Sequence, residues 1–131
     1  MATPDELERQ HTLITATRRY DDLRMRDALA AMNPDHDTSG LSPTEILEML
    51  ALSEVVIRKA GYGRQAMVGS ARAAGTSWTQ IGAALGSSKQ AAWEAHQRWI
   101  EEQTRLHEQA GYQGLDPDAA DAARGLAGRP D

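Results

Sequence analysis

The chain contains no cysteine and no phenylalanine, and its aromatic residues are limited to three tryptophans and three tyrosines. The absence of cysteine excludes disulfide bonds, thiolate zinc sites and cysteine nucleophiles, and it is typical of proteins from a reducing compartment. The scarcity of aromatic residues argues against an aromatic-rich β-sandwich. We therefore expect a core of alanine and aliphatic side chains, in a helical protein.

Long apolar segments are also missing. No run approaches the roughly 18 consecutive apolar residues that a transmembrane helix requires. The N-terminal residues include Asp5, Glu6 and Glu8 in place of a basic segment followed by an apolar one, which is not the pattern of a secretory signal. The sequence therefore predicts a soluble, cytoplasmic protein with no membrane partner.

Charge is distributed unevenly along the 131 residues, whose net charge is −5. Residues 1–54 carry a net charge of −6, residues 55–100 of +5 and residues 101–131 of −4. The overall sign is wrong for a protein that binds a polyanion, but the basic centre permits such binding locally. The alternative is that these segments are solvated helix faces of unequal charge.

Helix-start signals recur where apolar periodicity begins, and they predict an all-α protein. We predict a long helix over about 4–32, helices over 42–61 and 64–74, a short helix from Ser77 to Gly86, and a long helix from Ser87 or Ser88 to Ala110. A weak helix is expected within 118–126. The predicted divisions are a long N-terminal helix with an acidic loop (1–41), a central helical domain (42–110) and a flexible C-terminal tail (111–131).

The loop after the first helix resembles part of a calcium-binding loop. Asp35, Asp37, Ser39 and Gly40 occupy positions 1, 3, 5 and 6 of that pattern, but position 12 is Ile46 where a bidentate glutamate is required. Ser42 and Glu45 instead form a capping box for the next helix. We therefore expect no metal site here.

The segment Gly75–Trp93 carries the most information about function. It is typical of two helices joined by a tight turn. Gly82 provides space where the second helix approaches closely, and Gly86 provides the positive φ that a short turn needs. We expect an inward-facing set from both helices, namely Ile81, Leu85, Ala92 and Ala95.

Over residues 71–93, ARAAGTSWTQIGAALGSSKQAAW, the chain resembles the helix-turn-helix DNA-binding proteins, specifically short transcriptional regulators of the actinobacterial type. The resemblance extends more loosely over residues 42–100. It implies an all-α fold with a trihelical helix-turn-helix core, to which this sequence adds a long N-terminal helix and an extended C-terminal recognition helix. In such a fold the recognition helix begins near Ser88 and enters the major groove.

The resemblance also implies which residues face double-stranded DNA: Ser88, Lys89, Gln90, Trp93, Glu94 and Gln97. Lys89 is assigned to phosphate or guanine, whereas Gln90 either bonds adenine or closes the cap on Ser87. Trp93 either covers the core or touches a base or sugar. Glu94 either reads cytosine or indicates that this face is not used for DNA. Cations on the preceding helices are candidates for flanking phosphates, or are simply solvated: Lys59, Arg64, Arg72 and Arg58.

No pattern predicts an enzyme, because the four histidines are scattered and no glycine-rich phosphate loop is present. We expect no cofactor. The sequence-based hypothesis is a sequence-specific DNA-binding transcriptional regulator that forms a homodimer through apolar stripes, including Leu13, Tyr20 and Leu106. The alternative is an adaptor, antitoxin-like or associated with a sigma factor, which uses the same architecture to bind a protein partner.

Overall fold

The computed structural model describes residues 2–32 and 40–130, and the regular elements within these ranges are α-helices. In chain order they are α1 (Pro4–Gln10), α2 (Leu13–Met32), α3 (Pro43–Tyr62), α4 (Arg64–Ala73), α5 (Trp78–Leu85), α6 (Lys89–Gln109) and α7 (Pro117–Ala127). The all-α prediction is confirmed for these ranges. The calcium-loop positions Asp35, Asp37 and Ser39 lie outside the described residues.

The first compact unit, Met1–Gly63, contains α1, α2 and α3. α3 packs against both α1 and α2. The centre of this unit is a cluster of buried aliphatic side chains: Leu7, Ala16, Leu23, Ala51, Leu52 and Val55. Their spacing on each helix places them on one face, as expected for amphipathic helices around a small core.

The single helix predicted over 4–32 is instead two helices, interrupted at His11 and Thr12. His11 has extended backbone angles, with φ −118° and ψ 147°. The Thr12 hydroxyl accepts a hydrogen bond from the Thr15 N–H at 3.2 Å, and the Thr15 hydroxyl accepts one from the Thr12 N–H at 2.9 Å. These reciprocal bonds start a new helix at this point, because they satisfy N–H groups that a helix start leaves unpaired.

Ion pairs join α2 and α3 at the edge of the first core. Arg19 donates to both carboxylate oxygens of Glu48, at 2.9 and 3.0 Å, and Arg26 donates to Glu45 at 2.8 Å. The hydrogen bonds from Arg19 hold the pKa of Glu48 below its ordinary value. Because these side chains are partly exposed, the pairs orient the two helices more than they stabilise them.

The second compact unit, Arg64–Asp131, contains α4, α5, α6 and α7. All four helices contribute to its buried cluster, which consists of Val68, Trp78, Ile81, Ala92 and Ala127. Trp78 is the largest of these residues and is only 1% exposed.

These units differ from the sequence-based divisions at residues 41 and 110. α3 was predicted to belong to the helix-turn-helix domain, but its buried face packs with α1 and α2. The segment 111–131 was predicted to be a flexible tail with a weak helix within 118–126. A helix is present there as α7, but it is docked, since its Ala120 and Ala127 are each 1% exposed. The Trp78 Nε1–H donates to the Ala127 carbonyl oxygen at 2.7 Å, so the buried indole gains its polar partner from α7.

No helix in the described part of the chain is long and apolar enough to cross a membrane.

Candidate nucleic-acid interface

α5 begins and ends where the sequence predicted, because both ends carry strong local signals. Ser77 Oγ accepts a hydrogen bond from the Gln80 N–H at 3.1 Å, and Gln80 Oε1 accepts one from the Ser77 N–H at 2.9 Å. At the other end Gly86 has a φ of +72°, which a residue with a side chain adopts only with strain. The Ser87 N–H then donates to the Gly82 carbonyl oxygen at 2.8 Å. Local chemistry therefore defines the turn between α5 and α6.

Gly82 allows α5 and the start of α6 to come into backbone contact, as the sequence predicted. A Cβ at this position would lie 2.9 Å from the Ser87 carbonyl oxygen and 3.0 Å from the Lys89 nitrogen. These are backbone atoms, so they could give way only by displacing the first residues of α6. Gly82 therefore helps to fix where α6 begins.

The inward-facing set predicted for α5 and α6 is only partly correct. Ile81 and Ala92 are buried, at 5% and 3% exposure, whereas Ala95 is half-buried. Leu85 is 39% exposed, because it is the last residue of α5 and lies where the chain turns away at Gly86.

The first turn of α6 is exposed and contains no acidic residue. Ser88 caps the helix by accepting a hydrogen bond from the Ala91 N–H at 3.0 Å. Lys89 and Gln90 follow it and are both exposed. The backbone N–H groups at a helix start lack partners within the helix, and together with the helix dipole they favour a negatively charged ligand.

Gln90 and Glu94 form a pair on the exposed side of α6. The Gln90 Nε2–H donates to Glu94 Oε1 at 2.9 Å. Gln90 therefore does not close the cap on Ser87, which was one of its two predicted roles, and Ser88 makes the cap itself. The amide of Gln90 retains its carbonyl oxygen as an acceptor, and Glu94 retains a second carboxylate oxygen.

Trp93 and Gln97 face the C-terminal segment of the second unit. Trp93 is half-buried against the core, and its Nε1–H donates to the Gly128 carbonyl oxygen at 2.7 Å. Trp93 was predicted either to cover the core or to touch a base or sugar, and this geometry matches the first of these roles. Gln97 lies one helical turn further along and lines the same groove as Trp93.

Arg72 makes contacts within the second unit, and its assignment to a flanking phosphate stays a prediction. Its Nε–H donates to the Leu126 carbonyl oxygen at 3.2 Å, and its Nη1–H donates to the Thr76 carbonyl oxygen at 2.8 Å. The guanidinium carbon also lies 5.3 Å from the centroid of the Trp78 ring. Arg72 thus joins the C-terminal end of α7 to the loop before α5.

The other predicted cations lie in different units. Arg64 begins α4 in the second unit and is exposed. Lys59 and Arg58 lie on α3 in the first unit, where Arg58 bonds to Asp5 at 2.8 Å and to Glu8 at 3.3 Å. Lys59 and Arg58 therefore do not belong to the unit that contains α6.

Three arginines beside the predicted residues were not identified from the sequence. Arg98 is exposed and follows Glu94 by four residues, so the two share a face of α6. Arg124 and Arg129 line the groove that also contains Gln90, Trp93 and Gln97. The helical spacing could have indicated Arg98. The other two depend on the docking of α7, for which the sequence offers no local signal.

His96 is buried next to this surface, at 3% exposure. Its Nδ1–H donates to Gln65 Oε1 at 2.9 Å, and its ring stacks on Trp99 with the centroids 5.4 Å apart. Burial, followed by the positive charge of Arg72, lowers the pKa of His96 below its ordinary value. Within residues 2–32 and 40–130, no group of three or more histidine, aspartate or glutamate side chains could hold a metal ion.

The part of the second unit that precedes Glu94 carries positive charge. Residues 64–93 include three basic residues, Arg64, Arg72 and Lys89, and no acidic residue, and the acidic residues of this unit begin at Glu94. No protein-family model, curated protein or solved structure matches the chain. The case for the interface therefore rests on the geometry of α5, its turn and α6, together with the charges around them.

Proposed function

We propose that the protein binds double-stranded DNA in a sequence-specific manner and acts as a transcriptional regulator. The observation that carries this proposal is the α5–turn–α6 pair. Gly82 permits the close approach of the two helices and Gly86 permits the turn between them, while the first turn of α6 stays exposed. An exposed helix start with an adjacent cation suits insertion into the major groove, whose width admits one α-helix.

The residues of α6 divide into two roles. Lys89 and the N–H groups of the first turn bind phosphate, which positions the helix without reading sequence. Gln90 and Glu94 read base edges, since an amide can bond adenine bidentately and a carboxylate can accept from the cytosine amino group. Their mutual hydrogen bond holds both side chains ready on the face of α6 that points to solvent. Arg98 extends the same face toward the phosphates.

Binding of purified protein to a pool of random-sequence duplexes tests this proposal. We expect binding that weakens with salt, with a log–log slope of about −1 for each cation, such as Lys89 and Arg98, that contacts a phosphate. Lys89→Ala should weaken binding to all sequences, and Gln90→Ala should relax preference at one base pair by about 1–3 kcal/mol. Arg105→Ala is the matched control, because Arg105 lies on α6 about 24 Å from Lys89.

We further propose that the protein is a homodimer, assembled through the first unit. Exposed apolar side chains form a stripe on α3 at spacings of four and seven residues: Ile46, Leu50 and Ile57, which are 40%, 60% and 67% exposed. A groove of about 260 Å³ runs between Leu50 and the α2 residues Arg24 and Asp27. Among the described residues, Asp27 has no ion-pair partner. A two-fold axis beside this groove would let Arg24 of one copy pair with Asp27 of the other, which is the reciprocal pairing of an isologous interface.

This placement changes the predicted dimer interface, which included Leu106 on the far half of α6. That part of α6 is covered within its own chain: Ile100 is fully buried, and the Leu115 N–H donates to the Gln103 carbonyl oxygen at 3.2 Å as the chain returns along α6. Sedimentation equilibrium should give twice the 14.3 kDa chain mass. Leu50→Glu should yield monomers, whereas Tyr112→Glu, on an 88% exposed residue of the second unit, should not. A monomeric wild-type chain would refute the dimer.

A protein-binding adaptor is the second candidate function. Glu94 favours it, since this carboxylate lies on the exposed face of α6 and repels phosphate if it does not read cytosine. The duplex assay separates the candidates. Under the adaptor hypothesis no duplex binds even at low salt, and Glu94→Gln does not restore binding.

A further inference from the structure

A polar groove of about 550 Å³ lies beside α6 in the second unit. One wall is formed by residues that the sequence assigned to DNA, and the other by the C-terminal segment, and no acidic side chain of the described residues lines the groove. The residues that line the groove include Gln90, Trp93 and Gln97 on α6, and Arg124, Gly128 and Arg129 on the C-terminal side. The groove thus combines hydrogen-bonding amides with two cations.

Three hydrogen bonds to consecutive backbone carbonyls hold the C-terminal wall in place. The carbonyl oxygen of Leu126 accepts from Arg72, that of Ala127 from Trp78, and that of Gly128 from Trp93. Gly128 has a φ of +58°, a conformation that favours glycine and turns the chain out of α7 toward the groove. Arg129 is therefore positioned by a fixed backbone.

The charges of the two arginines are available to a ligand. Arg129 is exposed and has no ion-pair partner among the described residues. Within the part of the chain that the structure describes, Arg124 pairs with Asp121 alone, at 3.2 Å and on the exposed surface of α7. Such exposed pairs contribute little free energy, so Arg124 can exchange this partner for another anion. Guanidinium groups suit phosphate oxygens because they donate two hydrogen bonds in one plane.

We propose that Arg129 and Arg124 bind backbone phosphates of the same DNA duplex whose bases α6 reads. This inference rests on the proposed DNA-binding function and extends its contact surface to the C-terminal segment. Trp93 supports the C-terminal wall through its hydrogen bond to the Gly128 carbonyl oxygen, and Gln97 lines the groove beside it. Glu94 and Arg98 remain exposed for the major groove. The C-terminal segment thus widens the DNA-contact surface and leaves the reading face of α6 open.

The test is DNA binding by Arg129→Ala and Arg124→Ala as functions of salt, measured on the duplex pool. Each loss of a phosphate contact should reduce the log–log salt slope by about 1 and weaken binding by about three- to ten-fold near physiological salt. Arg129→Lys retains a cation and should retain most of the slope. Arg105→Ala removes the same charge elsewhere on the second unit and should change neither quantity. Because the three substituted side chains, Arg105, Arg124 and Arg129, are exposed, thermal unfolding should be unchanged in all four variants.

Each other outcome has a distinct meaning. If the wild-type protein binds DNA and the salt slope is unchanged in Arg129→Ala and Arg124→Ala, the two arginines do not contact phosphate. That result refutes this inference and leaves the proposed function standing. Tighter binding by these variants refutes this inference too, since it would mean that the segment obstructs DNA. If Arg105→Ala reduces the salt slope and the affinity as much as Arg129→Ala and Arg124→Ala do, the effect is one of general charge, and the proposed phosphate contacts are refuted. Absence of wild-type duplex binding refutes the proposed function itself.

Discussion

At the scale of single residues, Gly82 and Gly125 offer a matched pair of glycines in helices of the second unit. A Cβ on Gly82 would press on the backbone of Ser87 and Lys89, whereas a Cβ on Gly125 would meet nothing within 4 Å. We expect Gly82→Ala to lower the free energy of unfolding by about 1–3 kcal/mol through overpacking. Gly125→Ala should raise it by up to about 1 kcal/mol, because alanine favours helix.

Urea unfolding followed by tryptophan fluorescence checks this pair, since all three tryptophans of the sequence, Trp78, Trp93 and Trp99, lie in the second unit. The signal therefore reports that unit. Equal effects of the two substitutions would show that Gly82 is not in a close contact.

His96 makes the stability of the second unit depend on pH. Its pKa in the folded protein lies below the ordinary value of 6.5, so near that pH the unfolded chain binds more protons than the folded one. The free energy of unfolding should therefore fall as the pH is lowered from about 7.5 through 6.5, and continue to fall until the folded-state pKa is reached.

The check is the slope of unfolding free energy against pH in the wild type and in His96→Gln. The variant keeps His11, His36 and His107, so the difference in slope isolates His96. Parallel slopes between pH 5.5 and 7.5 would contradict the assignment of a buried, neutral imidazole.

At the scale of elements, α7 is the helix whose importance the sequence underestimated. Ala120 is 1% exposed, whereas Ala122 is on the exposed side of the same helix. Ala120→Asp should destabilise the second unit by several kcal/mol, because it buries a carboxylate with no partner, and Ala122→Asp should have little effect. The urea experiment measures both. Similar stability of the two variants would mean that α7 does not pack on the core.

Elements with local signals were predictable from the sequence. The capping boxes at Ser42 and Ser77, and the glycine at the end of α5, determine conformation within a few residues, and each lies where it was expected. The break at Thr12 was missed because its capping partner is Thr15, a hydroxyl where the familiar pattern has glutamate or glutamine. The docking of α7 was missed because small alanines reveal little about which surface they cover.

The candidate site was predictable to a similar extent. The exposed positions Lys89, Gln90 and Glu94 follow from the start and period of α6. The internal contacts of Arg72 were not predicted, because its partners are backbone carbonyls of Thr76 and Leu126. Leu126 is distant in sequence, and no spacing rule indicates such contacts.

At the scale of the whole molecule, the account predicts how dimerisation appears in the DNA target. Two recognition helices related by a two-fold axis read two inverted half-sites, separated by about 10–10.5 base pairs between centres or a multiple of that. Leu50→Glu, if monomeric, should bind a single half-site with a salt slope about half that of the dimer. If Leu50→Glu remains dimeric, or if the wild-type protein selects a single half-site, the dimer interface does not lie on the α3 stripe.

The central claim is that α6 reads duplex DNA, and repeated selection from a random-sequence duplex pool, followed by sequencing, tests it most directly. The account predicts enrichment of one inverted-repeat motif by the wild-type protein. It also predicts that Gln90→Ala, selected in parallel, loses preference at one position of each half-site. Failure to enrich any duplex at low salt would contradict the account.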